Sequence, residues 1–182
     1  MIINKPNKNL LMTKKRLIKR LKWYYPTEKF HTYLTFPALL IYLLYSNSIK
    51  DSIFIAYGLV VCIIILYQGQ LYWKLKLYSL IGKLINQEKY LEFFRKSKKI
   101  NLVLMGLIPL FLIIQLMLQN WTFTNNKMLF WGVLANVFTI LEYINYYHTQ
   151  LMMDNKYDIE YLIRNKKLKR ASLAKDLMEN KI

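Results

Sequence analysis

All but two of the 27 lysines and arginines in this 182-residue chain fall into three blocks, and the blocks alternate with long apolar runs. Residues 1–30 hold nine of these cations, residues 74–99 hold eight and residues 149–182 hold eight, while Lys50 and Lys127 stand alone in short gaps between apolar runs. A cation at the centre of a bilayer costs roughly 2.5–3.5 kcal/mol, so cationic segments stay on the cytoplasmic side. An apolar run of about 20 residues is enough to cross the hydrocarbon. The alternation therefore predicts an all-α, polytopic membrane helix bundle with four transmembrane helices, over about 32–48, 53–73, 100–118 and 128–147. Both termini and the central block belong on the cytoplasmic side. Residues 1–30 read as a basic cytoplasmic arm, partly an amphipathic helix. Residues 31–148 read as the four-span membrane domain, with 74–99 a cytoplasmic helical hairpin between the second and third spans. Residues 149–182 read as a cytoplasmic, amphipathic basic tail.

A formal net charge of +17 in a soluble domain would point to nucleic acid. Here the charge flanks apolar runs instead, so the partner it implies is anionic lipid at the inner leaflet, and no nucleic acid. In the arm, Lys14, Lys15, Arg16, Lys19, Arg20 and Lys22 surround Leu17, Ile18 and Leu21, which share one helical face. Such a helix can bind lipid headgroups at about 1 kcal/mol per cation near the surface. The same cations also serve simply to hold the N-terminus inside during insertion. No small-residue cleavage site follows the first apolar run, so no cleaved leader is expected. Richness in Lys, Asn, Ile and Tyr suggests a bacterial source with an AT-rich genome.

Local signals refine the spans. The first is short and contains Pro37, which predicts a kink or local unwinding. The second ends in Tyr67, Tyr72 and Trp73, rings suited to the headgroup level. Beyond it Leu77, Leu80, Leu84, Leu91 and Phe94 recur at helical steps, so the helix is expected to continue to about Ile85 and turn near Asn86, which can cap the returning helix. A single amphipathic helix lying on the membrane is the competing reading of this stretch. Gly106, Pro109 and Gln115 interrupt the third span, and Trp121 is an interface anchor after it. In the tail Asp158 can cap a short helix, and Leu173, Ala174 and Leu177 give the last segment an apolar side.

Glu142 is the one acidic residue well inside an apolar run. Met128 to Leu141 rise about 21 Å as a helix, which sets Glu142 in the inner leaflet. Intramembrane carboxylates are costly unless paired, neutral or hydrated, and so default to a functional hypothesis. Asn145 and Thr149 follow on the same face, and Gln68 and Gln70 of the second span reach a similar depth. These residues predict an intramembrane polar cluster of Gln68, Gln70, Glu142 and Asn145, with Lys74 a candidate counter-ion. Tying helices together, conducting a proton or ion, and catalysis are three readings of such a cluster.

No catalytic residues are assigned. Ser172 and Lys175 match a Ser-x-x-Lys string, but the companion strings are missing. His31 and His148 both flank spans, and zinc wants three or four clustered ligands, so no metal is expected. Cys62 reads as an apolar thiol within its span. The sequence shows no P-loop or dinucleotide turn, and no cofactor is implied. Gln115 and Asn136 read as interhelical hydrogen-bonding residues.

The stretch Glu142-Tyr143-Ile144-Asn145-Tyr146-Tyr147-His148-Thr149-Gln150-Leu151, followed by Arg170-Ala171-Ser172-Leu173-Ala174-Lys175-Asp176, resembles small four-span bacterial membrane proteins often labelled general stress protein. The resemblance covers mainly the C-terminal quarter; it implies membrane location and brings no established activity with it. The function expected is that of a non-enzymatic membrane accessory or interaction protein, possible roles being stress or immunity. It would dock a protein partner or a second copy of itself through its cytoplasmic faces. A transporter or channel subunit using the Glu142 cluster is the alternative, and an intramembrane lipid-modifying enzyme is the third reading. No GxxxG seam specifies an oligomer.

Overall fold

The structure, a computed structural model, describes residues 8–121, 127–153 and 156–182, apart from the side chains of residues 8–11 and 13. Among the described residues the chain is helical, with one isolated bridge between Thr149 and Arg170. Helix α1 (Lys8–Phe30) runs through a five-residue π segment (His31–Thr35) directly into α2 (Phe36–Ser46). The π segment has a local cause. Pro37 has no N–H and its ring crowds the preceding turn, so the ladder widens just ahead of it and the Phe36 N–H reaches back to the His31 carbonyl. The basic arm is therefore not a separate appendage. It is the first half of the rod that carries the first apolar run.

Asn47 and Ser48 are extended and end that rod. Helix α3 (Ile49–Leu80) follows, its first turn carrying Asp51, which the Ser48 hydroxyl meets and which suits a helix N-terminus. At 32 residues α3 is about 48 Å long. It ends at Leu80 rather than near Ile85, because Gly82 takes a left-handed conformation (φ 79°) and turns the chain. Leu84 is consequently left fully exposed, outside the apolar stripe to which its spacing assigned it. Asn86 caps α4 (Gln87–Gly106), its Oδ1 accepting the Lys89 N–H at 3.1 Å. Leu107 separates α4 from α5 (Ile108–Leu118), whose first turn holds Pro109. Asn120 and Trp121, both at positive φ, terminate α5. The gap after them lies largely outside the described residues. Helix α6 (Lys127–Tyr147) is followed by two short helices, α7 (Lys156–Asn165) and α8 (Ser172–Glu179).

Among the described residues three helical segments are long and apolar enough to cross a membrane: α3, the α4–α5 pair and α6. The first apolar run is not among them, since α2 itself has only 11 residues. Helix α3 is the hub. Its Val61, Cys62, Ile65, Leu66 and Tyr72 form one core with Leu91 and Phe94 of α4, Tyr143, Tyr146 and Tyr147 of α6 and Leu173 of α8. Large apolar side chains such as Ile41, Val103, Met117 and Phe130 point outward, while amides and hydroxyls are buried between helices. That arrangement suits a hydrocarbon solvent, in which polar groups must find partners inside the protein.

The buried polar groups stitch α3 to its neighbours. Gln115 of α5 accepts the Phe54 N–H at 2.9 Å and donates to the Asp51 carbonyl at 3.0 Å. Asn136 of α6 donates to the Phe54 carbonyl at 3.0 Å, and the Thr139 hydroxyl donates to the Gly58 carbonyl at 2.9 Å. These contacts need close backbones. A Cβ on Gly58 would lie 2.8 Å from the Asn136 amide carbon. Small residues at the α3–α6 contact thus permit what no GxxxG spacing announced.

Candidate functional site

The four predicted cluster residues do not share one cluster. Gln68 is fully engaged between α3, α4 and α6: its Nε2 donates to Asn101 Oδ1 at 3.1 Å, and its Oε1 accepts from Asn101 Nδ2 at 2.7 Å and from the Tyr147 hydroxyl at 2.6 Å. Gln70 turns the other way, toward the Tyr33 hydroxyl of the π segment at 3.4 Å. Two residues along a helix is a rotation of about 200°, so one of the two glutamines had to leave any shared cluster. Asn145 closes the chain reversal after α6, its Oδ1 accepting the Leu151 N–H at 2.9 Å and the Met152 N–H at 3.3 Å. Lys74 sits over the Tyr78 ring, 5.7 Å from its centroid, and not beside Glu142.

Glu142 has a different neighbour, Glu28 of α1. The two carboxylates lie within electrostatic reach of one another, with Asn145 beside Glu142 and with Tyr24, Tyr146 and His31 beside Glu28. The Tyr146 hydroxyl is buried against this pair, within hydrogen-bonding reach of the Glu28 carboxylate. Its ring is held by close packing on α3, where a Cβ on Gly69 would come within 2.6 Å of Tyr146 Cε1. The sequence reading missed Glu28 because it was counted with the basic arm. The signal available was helical continuity, since no breaker stands between Glu28 and the first apolar run.

The headgroup residues of α1 divide in two. Lys14, Lys15, Lys19 and Lys22 are exposed. Arg16 donates to the Tyr157 hydroxyl of α7 at 2.8 Å, and Arg20 lies near Asp158. Arg20 and Asn145 also line a cavity of about 70 Å³ with Tyr24, Trp73 and Tyr146, in which the Trp73 indole N–H is unpartnered.

The tail packs onto the long helices. Asp158 lies inside α7 and does not cap it; its carboxylate accepts from Lys169 Nζ at 2.7 Å and Gln150 Nε2 at 3.0 Å. Burial alone would raise this carboxyl, but Lys169, Gln150 and the nearby Arg20 outweigh it and hold the group below the usual carboxylate range. Asp176 of α8 accepts from the Tyr72 hydroxyl at 2.8 Å and from Lys76 Nζ at 2.6 Å, both on α3. Ser79 donates to the Ile182 carbonyl at 2.9 Å, and Leu173 is buried in the main core. Residues after α6 pair with the strand-like stretch before α8, through Gln150 N–H to the Lys169 carbonyl and Ala171 N–H to the His148 carbonyl.

Among the described residues no three His, Cys, Asp or Glu side chains group as metal ligands. Compared with protein-family models, with curated proteins and with solved structures, the chain matches none of them.

Proposed function

We propose that the chain is a four-span protein of a bacterial inner membrane, with both ends cytoplasmic, acting as a non-enzymatic accessory that presents a fixed platform to a partner. The observation that carries this reading is the attachment of the tail. Through Asp176, Leu173 and Ile182, α8 is bonded to and buried against α3, and α7 beside it is tied to α1 by Arg16–Tyr157 and to the rest of the tail by Asp158–Lys169. On α7, Ile159 and Ile163 stand one turn apart, and Ile163 is 73% exposed. The buried amides of Gln68, Asn101 and Gln115 support the same reading, because both ends of each are taken up by bonds between helices. The fourth span would be the rod through α2. From Trp23 to Ser46 it covers about 36 Å at helical rise, enough for the hydrocarbon, with Trp23, Tyr24 and Tyr25 at the headgroup level. The three cation blocks support the orientation, and the resemblance to stress-labelled membrane proteins supports the membrane location.

The test uses a photo-crosslinking residue at position 159 in native membranes. A protein adduct of defined mass, lost on Ile163→Glu at the neighbouring position, is expected. Adducts to lipid alone would show that α7 lies on the membrane and would defeat the interaction reading. Tags on both ends should be protected from protease in intact cells, and a cysteine replacing Ser48 should be labelled from outside.

A second reading rests on Glu28, Glu142 and Tyr146. Two carboxylates beside a buried hydroxyl make a constellation suited to holding a proton or small cation, as a transporter or channel subunit requires. It predicts pH-dependent flux in liposomes that Glu142→Gln abolishes; unchanged flux in that variant would remove it.

A further inference from the structure

The end of the bundle that carries α8 holds a cleft of about 470 Å³, open to solvent, between α4, the end of α6 and α8. Its polar lining is cationic or neutral: Arg95 and Lys98 from α4, His148 just past α6, and Arg170 just before α8. Leu177 and Met178 of α8 supply an apolar wall. In a chain with ten acidic residues the nearest carboxylates on α8 are already engaged elsewhere. Asp176 is bound to Lys76 and Tyr72, and Glu179 lies against Lys175. The side-chain hydrogen bonds of the two arginines go to neutral groups, Arg95 donating to the Asn180 side-chain oxygen and Arg170 pointing at the Met178 sulfur; the one carboxylate that feels Arg95 is the exposed Glu92, which is paired with Lys96. Among the described residues neither arginine nor Lys98 has an ion-pair partner. Burial and the charge of Lys98 together lower the His148 pKa, so Lys98 is felt inside the cleft.

We propose that this cleft is a binding site for a phosphate oxyanion, carried by the headgroup of an anionic phospholipid. Two guanidinium forks and an ammonium around one recess match the geometry of a phosphate group, which arginine can bind through paired N–H donors. The apolar wall of α8 suits the first carbons of a lipid rather than a fully hydrated ion. Basic pockets at the ends of membrane helices are where lipid headgroups bind. This site is separate from the exposed cations of α1, which have no recess around them. The phosphate chemistry stands on the cleft alone; only the lipid as its source rests on the membrane reading above.

The experiment takes the full chain purified in mild detergent and offers it phosphatidylglycerol and phosphatidylcholine with identical acyl chains. Retained lipid is counted by native mass spectrometry. Wild type is expected to retain the anionic lipid at least tenfold over the zwitterionic one. The variant Arg95→Gln/Arg170→Gln should bring that preference to twofold or less, and Lys98→Gln, which breaks no hydrogen bond, should lower it severalfold. Lys14→Gln/Lys15→Gln on α1 should leave it unchanged. A second arm adds inorganic phosphate alone and follows the His148 ring by NMR. Displacement of lipid by phosphate at or below about 1 mM, with an upward shift of the His148 titration, would make free phosphate the ligand. Displacement only at salt-like concentrations keeps the lipid as the source. Unchanged preference in both Lys98→Gln and the arginine variant, or equal loss in the α1 variant, would overturn the site. A chain that proves soluble without detergent yet shifts His148 with phosphate would fail the membrane reading and leave the cleft standing.

Discussion

The pair of amides joining α3 to α4 offers the sharpest test of how this bundle is held. Gln68 takes part in three hydrogen bonds, two of them exchanged with Asn101 and one accepted from Tyr147, and all three residues are buried. Between membrane helices such a bond contributes about 0.6 kcal/mol on average and up to about 1.7. Gln68→Leu removes all three and strands both the Asn101 amide and the Tyr147 hydroxyl, so it should destabilise the fold by about 2–4 kcal/mol. Asn101→Leu removes two bonds and leaves Gln68 its tyrosine, at about 1–3 kcal/mol. In the double variant the exchanged pair is lost only once and neither amide is stranded. The double should therefore cost about 1–2 kcal/mol less than the sum of the singles. Reversible unfolding in mixed micelles, titrated with a denaturing detergent and followed by helicity and tryptophan fluorescence, gives all four corners of the cycle. Additivity within about 0.5 kcal/mol would mean that the two amides do not meet, and the register of α4 against α3 would have to be redrawn.

Gly69→Ala should cost about 1–3 kcal/mol by overpacking, because its new methyl would enter the space of the buried Tyr146 ring. In a Tyr146→Leu background the same substitution should cost under about 1 kcal/mol, and an equal cost in both backgrounds would rule out that contact. The Asp158 carboxyl, held below its ordinary range in the folded chain, stabilises the docking of α7 fully above its unfolded pKa of about 3.9. That contribution is lost as pH falls through the lower folded value. Hydrogen exchange of α7, corrected for intrinsic rates, should show an acid limb in wild type that Asp158→Asn removes; identical acid profiles would refute the linkage. Gln115→Leu should cost about 1–3 kcal/mol and raise exchange selectively around residues 51–54, where its two bonds land.

What the sequence made legible was whatever had a local cause. Asn86 caps α4 because a side-chain acceptor at that position satisfies an N-terminal N–H, and Pro109 opens a new helix because it has no N–H to give. Pro37 unwinds the ladder for the same reason, although its form, a π segment, depends on how neighbouring turns accommodate it. The bounds of α6 followed from an uninterrupted apolar run. Rotation and pairing were not legible. Depth along a span sets how far a residue lies from the headgroups and says nothing of which neighbour it faces. Gln68 and Gln70 thus reached similar depths while serving Asn101 and Tyr33 respectively. Glu28 was hidden by its company, since a carboxylate among nine cations reads as part of a solvated arm until helical continuity carries it alongside α6.

Charge in this chain divides between two tasks. The tail aspartates that are buried, Asp158 and Asp176, each take a lysine from another segment and so fasten the tail to itself and to α3. An ion pair of this kind is partly desolvated, so removing either partner strands the other and loosens the platform. Many of the remaining cations form no ion pair among the described residues. They lie either in the open, as on α1, where they act through the summed attraction of a surface, or in the recess beside α8, where Arg95, Lys98 and Arg170 are held at fixed spacing by the fold. Only fixed spacing can distinguish one anion from another. Any selectivity this protein has for an anionic ligand should therefore reside in the cleft rather than along α1.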